Sequence, residues 1–198
     1  MLHKDNKNLS MGELLMYSEI KDLLEADCDL DYLPFFGHRK NGRSALIGQE
    51  CLSQWYQDSP FTFQGDTYST AEHWMMSRKA LLFCDNDSHN AILRSSHPGE
   101  AKKIGRGVEG FRQDVWDKHA RAIVIYGNML KFTQNGGIRR FLLGTGNKVL
   151  TEAAPYDKVW GVGLDKDHKD VCHPEKWRGD NKLGFALMKV RDSLRNLY

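Results

Sequence analysis

From Ser69 to the end of the chain, apolar residues return at helical spacing in one segment after another, with no long strand pattern among them. A chain laid out this way packs helices on helices and leaves only short pieces for a sheet. The spacing predicts a helix over 70–84, with Ala71, Trp74, Met75, Arg78, Leu81 and Leu82 as its inner stripe. A second begins near Pro98, a residue suited to the first helical position, and the longest covers 111–132. A short helix follows over 137–143, and the last, over 181–197, lines up Leu183, Leu187, Val190 and Leu194.

Ahead of this block the periodicity is mixed. Ser10-Met11-Gly12-Glu13 has capping-box spacing, and Leu14, Leu15, Ile20, Leu23 and Leu24 continue it as a helix, closed by an acidic stretch over 25–31. Residues 33–38 read as a short buried strand, and Phe61-Thr62-Phe63 and Thr67-Tyr68-Ser69 flank Gln64-Gly65-Asp66 as a small hairpin. The expected architecture is α+β and mainly α: one compact domain of about six helices and a few short strands over 33–198, with an N-terminal helical extension over 1–32.

A chain of 198 residues can bury roughly 70% of its unfolded surface, so such a domain needs no disulfide or metal to hold it. Hydrophobic residues at 40% and charged residues at 27% exclude a disordered chain. With 28 Lys and Arg against 26 Asp and Glu, a strongly basic nucleic-acid coat is excluded, while a local basic patch is not. The cysteines Cys28, Cys51, Cys84 and Cys172 form no Cys-x-x-Cys pair, which excludes a zinc ribbon and a thioredoxin motif. No apolar run is long enough to span a membrane, so the expectation is a cytoplasmic protein with reduced thiols. Phosphate-binding glycine loops and a nucleophile elbow are absent, and no cofactor is expected.

Three stretches carry chemistry. In the first, Glu72 stands three residues after Ser69, the spacing of a capping box, and on spacing alone capping is the better account. The same carboxylate, held at a helix start beside bulky aromatics, could also serve a site, with Lys79 two turns along the same face. The second, 150–163, packs Glu152, Asp157, Tyr156, Trp160, Gly161 and Gly163 into a loop too polar for a core and too apolar for a tip, with Trp160 offering a stacking face. The third, 177–184, places Asp180 and Asn181 at a helix start, where they can cap it or attend a phosphate. Asp165, Asp167, His168, Asp170 and His173 look metal-like but lack known ligand spacing and read as a solvated loop, so no metal is expected.

In order along the chain, these blocks resemble the NADAR, or YbiA-like, family: Phe35-Phe36, Leu52 to Trp55, Tyr68 to Trp74 with Lys79-Ala80, Ala101 to Arg106, Trp116, Lys131 to Asn135, Leu142-Leu143, Glu152 to Gly163, and Gly179 to Gly184 with Leu187-Met188 and Arg191. The resemblance covers roughly residues 33–198. It implies a largely helical α+β domain that hydrolyses N-glycosidic bonds, acting on ADP-ribosylated guanine, as nucleotide or in nucleic acid. The small aminopyrimidine ribosyl phosphates of riboflavin synthesis are the alternative, and a non-catalytic module binding NAD or ADP-ribose is a third reading. Glu72 and Asp157 match the family's acidic positions and are assigned jointly to charge stabilisation and proton transfer, with Lys79 available for a Schiff base to an opened ribose. Phe36, Trp116 and Trp160 are expected to stack on the base or wall the sugar. Lys102, Arg106 and Asn181 are expected at phosphate, and Ser53 and Gln54 at hydroxyls or the base edge, with Glu152 and Gly161 completing the binding set. Phe36-Gly37 in place of Tyr-Ser, and Ser53-Gln54-Trp55 in place of Ser-Asn-Phe, bear on substrate choice.

Overall fold

The computed structural model describes residues 19–26, 29–39 and 46–197. Among them are seven helices and four short strands. The predicted start of the N-terminal helix at Ser10 lies outside the described residues; its end, α1 (Ile20–Leu24), buries Leu23 in the main core.

Strand β1 (Tyr32–Phe35) is the short strand expected from the sequence, but its partner was not foreseen. It pairs in parallel with β4 (Val149–Glu152), in register from Tyr32 opposite Val149 to Phe35 opposite Glu152. The sequence reads this part of 150–163 as loop, because four residues buried on both faces show no alternation and the polar residues after them dominate the window. Strands β2 (Phe61–Phe63) and β3 (Asp66–Tyr68) form the expected hairpin, and Gln64 and Gly65 both take positive φ, as its two-residue turn requires.

The helices are α2 (Ala71–Leu82), α3 (Asn86–Arg94), α4 (Pro98–Arg106), α5 (Gln113–Gln134), α6 (Gly136–Gly144) and α7 (Lys182–Arg195). All but α3, which has a single buried residue, Ile92, are close to their predicted spans. Helix α2 departs from its predicted stripe: Ala71 through Ser77 are all buried, while Arg78, Leu81 and Leu82 are only partly so. It is surrounded by α3, α4, α5 and the hairpin, so it has little outer face to leave polar. Phe35, Leu52, Val124, Phe132, Leu142, Leu150 and Leu187 meet in one continuous core between the strand pair, α5 and α7. No helix among the described residues is long and apolar enough to cross a membrane.

Candidate active site

The two parallel strands stop side by side at Phe35 and Glu152, and the chain leaving each of them lines a cleft of about 590 Å³. Phe36, Gly37 and His38 come from one strand end, and Ala154, Pro155, Tyr156, Asp157 and Trp160 from the other. Opposite them, α2 contributes Glu72, Met75, Met76 and Lys79, and α4 contributes Lys102, Gly105 and Arg106. Ser53, Gln54 and Trp55, just after a 3₁₀ turn (Gln49–Leu52), close the remaining side. Three carboxyls and three cations therefore share one hollow.

Glu72 is not a capping residue. The N-cap of α2 is Thr70, whose hydroxyl accepts from the His73 amide, which leaves Glu72 in the first turn with its side chain buried. Burial raises its pKa above the ordinary carboxylate range; the nearby Asp157 charge adds to this, while the charges of Lys102 and Arg106 oppose it. Asp157 accepts the amides of Val159 and Trp160 at Oδ1, at 3.0 and 2.8 Å, and so holds the turn that delivers Trp160 to the cleft. Glu152 has no such commitment: its Oε2 is buried and without a hydrogen-bond partner. Burial first, then the Asp157 charge, push its pKa up to about 8 against the pull of Lys131.

Lys79 is half-buried and donates to the Gly105 carbonyl at 2.7 Å, with its Nζ 4.0 Å from the centre of the Phe111 ring. Burial lowers its pKa. Among the described residues it makes no ion pair, so its charge rests on one carbonyl and the faces of Phe111 and Trp116.

Two polar residues inside α5 hold the Ser53–Trp55 wall from behind. Lys131, fully buried, donates to the carbonyls of Cys51 and Ser53 at 2.7 and 2.8 Å. Asn128, one turn earlier, accepts from Gln54 Nε2, and the Gln54 carbonyl in turn accepts from the Glu72 amide. The start of α2 and the Ser53–Trp55 segment are thus tied to each other and to α5. Lys131 stands in one of the blocks of resemblance, but a lysine among helix residues gives no sign in the sequence that it is buried.

Of the residues expected at the site, Phe36, Ser53, Gln54, Glu72, Lys79, Lys102, Arg106, Glu152, Asp157 and Trp160 line the cleft, and Trp116, Gly161 and Asn181 do not. Trp116 is buried in the main core beneath Lys79, its ring centre 5.8 Å from the ammonium. Gly161 is small for backbone rather than ligand: a Cβ there would lie 2.8 Å from the Glu152 carbonyl oxygen. Asn181, fully buried at φ 53°, neither caps α7 with its side chain nor reaches the cleft. It accepts from the Glu152 amide and donates to the Leu150 carbonyl, both at 2.9 Å, and so clamps β4 to the start of α7. Trp55, Tyr156 and His38 also line the cleft, though none is among the expected catalytic or binding residues. Tyr156, wholly exposed, adjoins Asp157 in sequence, which is the signal that could have found it. Among the described residues no cluster of His, Cys, Asp or Glu suits a metal; His168 and Asp170 instead join in local hydrogen bonds of an exposed turn.

Fold and cleft together define an α+β domain with a cleft of mixed charge where two parallel strands end. Residues 35–195 match the NADAR domain, and the chain belongs to the NADAR family. It is 40% identical over 168 residues to N-glycosidase R617 of Acanthamoeba polyphaga mimivirus, covering 81% of this chain and 95% of that one. N-glycosidase Npun_R5314 of Nostoc punctiforme is 34% identical over 134 residues, covering 67% of this chain and 78% of its own. The NMR structure of the Escherichia coli protein YbiA superposes with a TM-score of 0.64 at 24% identity, covering 86% of this chain and 89% of that one, a likeness of fold.

Proposed function

We propose that this protein is an N-glycosidase that hydrolyses a ribosyl C1–N bond, with ADP-ribose attached to the amino group of guanine in nucleic acid as its substrate. The observation that carries the reading is the charge distribution of the cleft. Glu72, Glu152 and Asp157 come from a helix start, a strand end and the loop after it, while Lys102 and Arg106 stand on α4. Breaking the C1–N bond builds positive charge on the ribose, which carboxylates stabilise in a partly dry site, and cations beside them suit the phosphates of the same molecule. Phe36, Trp55, Tyr156 and Trp160 offer faces for a base. Relatives named N-glycosidases agree with this reading.

In this mechanism Glu72 and Asp157 share the stabilisation of the ribosyl cation and the activation of water. Incubation with an ADP-ribosylated guanine oligonucleotide should release free ADP-ribose and restore the unmodified base. Release of ribose 5-phosphate from an aminopyrimidine ribosyl phosphate, with the oligonucleotide untouched, would move the substrate to the small-molecule class. Tight binding of ADP-ribose with neither substrate cleaved would make the domain a binding module.

The setting of Lys79 favours a second route. An amine without a carboxylate partner, its pKa lowered by burial, is suited to attack C1 of an opened ribose as a Schiff base. Reduction with cyanoborohydride during turnover should then leave a covalent sugar adduct on Lys79, and its absence would leave direct displacement by water.

A further inference from the structure

We propose that Glu152 is the proton donor to the departing nitrogen, a role separate from those of Glu72 and Asp157. The inference rests on the N-glycosidase reading and gives one of its steps to a particular side chain.

The argument is one of hydrogen bonding. A carboxyl engaged by N–H donors is committed to the protein, and one whose buried oxygen has no partner keeps its proton more readily. Asp157 takes two from backbone amides, and the charges of Lys102 and Arg106 pull on Glu72. Among the described residues the buried Oε2 of Glu152 has no hydrogen-bond partner. The backbone on either side is fixed all the same: the Glu152 amide donates to Asn181, and its carbonyl accepts from Val162. A carboxyl that lines the cleft on a rigid strand end, with one oxygen left unpartnered by the protein, can deliver its proton to a ligand.

The charged groups around it are Lys131 from α5, Asp157 from the following loop, Glu72 and Lys79 from α2, and Lys102 and Arg106 from α4. Burial and Asp157 favour the protonated acid, and only the weaker pull of Lys131 opposes them, so Glu152 holds its proton up to about pH 8. In the reaction the C1–N bond breaks with its electron pair going to nitrogen, and the Glu152 proton moves to that nitrogen as the base departs. Water then bonds to C1 and gives a proton to Glu72 or Asp157, and exchange with solvent returns one to Glu152.

Two measurements on the full chain test this. Carbon-13 NMR of carboxyl-labelled glutamates, with the Glu152 signal assigned by its loss in Glu152→Gln, should show titration near 8, and titration near 4.5 would overturn the assignment. In the pH–rate profile, wild-type kcat should fall through that same midpoint, and Glu152→Gln should lose this limb together with about a hundredfold or more of kcat at little change in KM. A folded Glu152→Gln protein that keeps wild-type kcat, or keeps the alkaline limb, overturns the proposal while leaving the N-glycosidase reading intact. A wild-type protein that cleaves no N-riboside overturns both.

Discussion

At the scale of single residues, the functional case turns on which carboxyl the protein already uses for itself. Thr70 caps α2 and so frees Glu72, whereas Asp157 divides its carboxylate between the cleft and the turn it holds. Replacing Glu72 by Gln should therefore slow turnover by at least about a hundredfold, the loss of roughly 3 kcal/mol of transition-state stabilisation, with melting behaviour close to wild type. Wild-type turnover in a folded Glu72→Gln protein would remove Glu72 from the chemistry. Lys131 is the opposite case, a buried ammonium whose hydrogen bonds go to carbonyls of the wall it supports. Lys131→Met should leave two carbonyls unsatisfied, costing about 1–3 kcal/mol in a denaturation experiment, and should lower kcat/KM through the loosened Ser53–Trp55 segment. Sequence patterns could not separate these roles. Ser69-x-x-Glu72 has the right spacing for a cap, but Thr70 starts the helix and leaves Glu72 over the cleft.

At the scale of elements, the site depends on a parallel pair of only four residues each, ending at its edge. The hairpin, the proline-started α4, the long α5 and the final helix were legible because each has a local signal: turn residues, a first-position proline or sustained periodicity. Strand β4 was not, since pairing with a segment more than a hundred residues earlier leaves no local trace. Nor was the role of Asn181, which reads as a cap and acts as a clamp across β4 and α7. Gly184 belongs to the same contact, because a Cβ there would lie 2.0 Å from the Leu150 carbonyl oxygen. Gly184→Ala should therefore push α7 off β4 and lower the melting temperature far more than Gly144→Ala, where nothing lies within 4 Å of an added Cβ. Equal effects of the two substitutions, compared by thermal melts, would show that the close approach carries little energy.

At the scale of the whole molecule, buried groups in the cleft and behind its wall act with opposite sign on the stability profile. Glu152 titrates at about 8 when folded against an ordinary 4.5, so between those values the unfolded chain has lost a proton that the folded one keeps, and stability falls as pH rises. Lys131 titrates at about 8 against 10.5, so above 8 the folded chain sheds a proton that the unfolded one keeps, and its contribution rises. Glu152→Gln should flatten the decline between pH 5 and 8 in melts across that range, and an unchanged slope would mean that Glu152 ionises normally. The sequence named ten of the cleft's residues because the family's blocks contain them; it could not show that Glu72, Lys79 and Asp157 converge, which takes the full packing of α2 against the strand ends. The most direct test of that convergence is a crystal structure of the protein soaked with ADP-ribose. The anomeric carbon of the terminal ribose should lie against the carboxyls of Glu72, Glu152 and Asp157, with the phosphates toward Lys102 and Arg106. A nucleotide bound outside this cleft, or with that carbon facing solvent, would contradict the account.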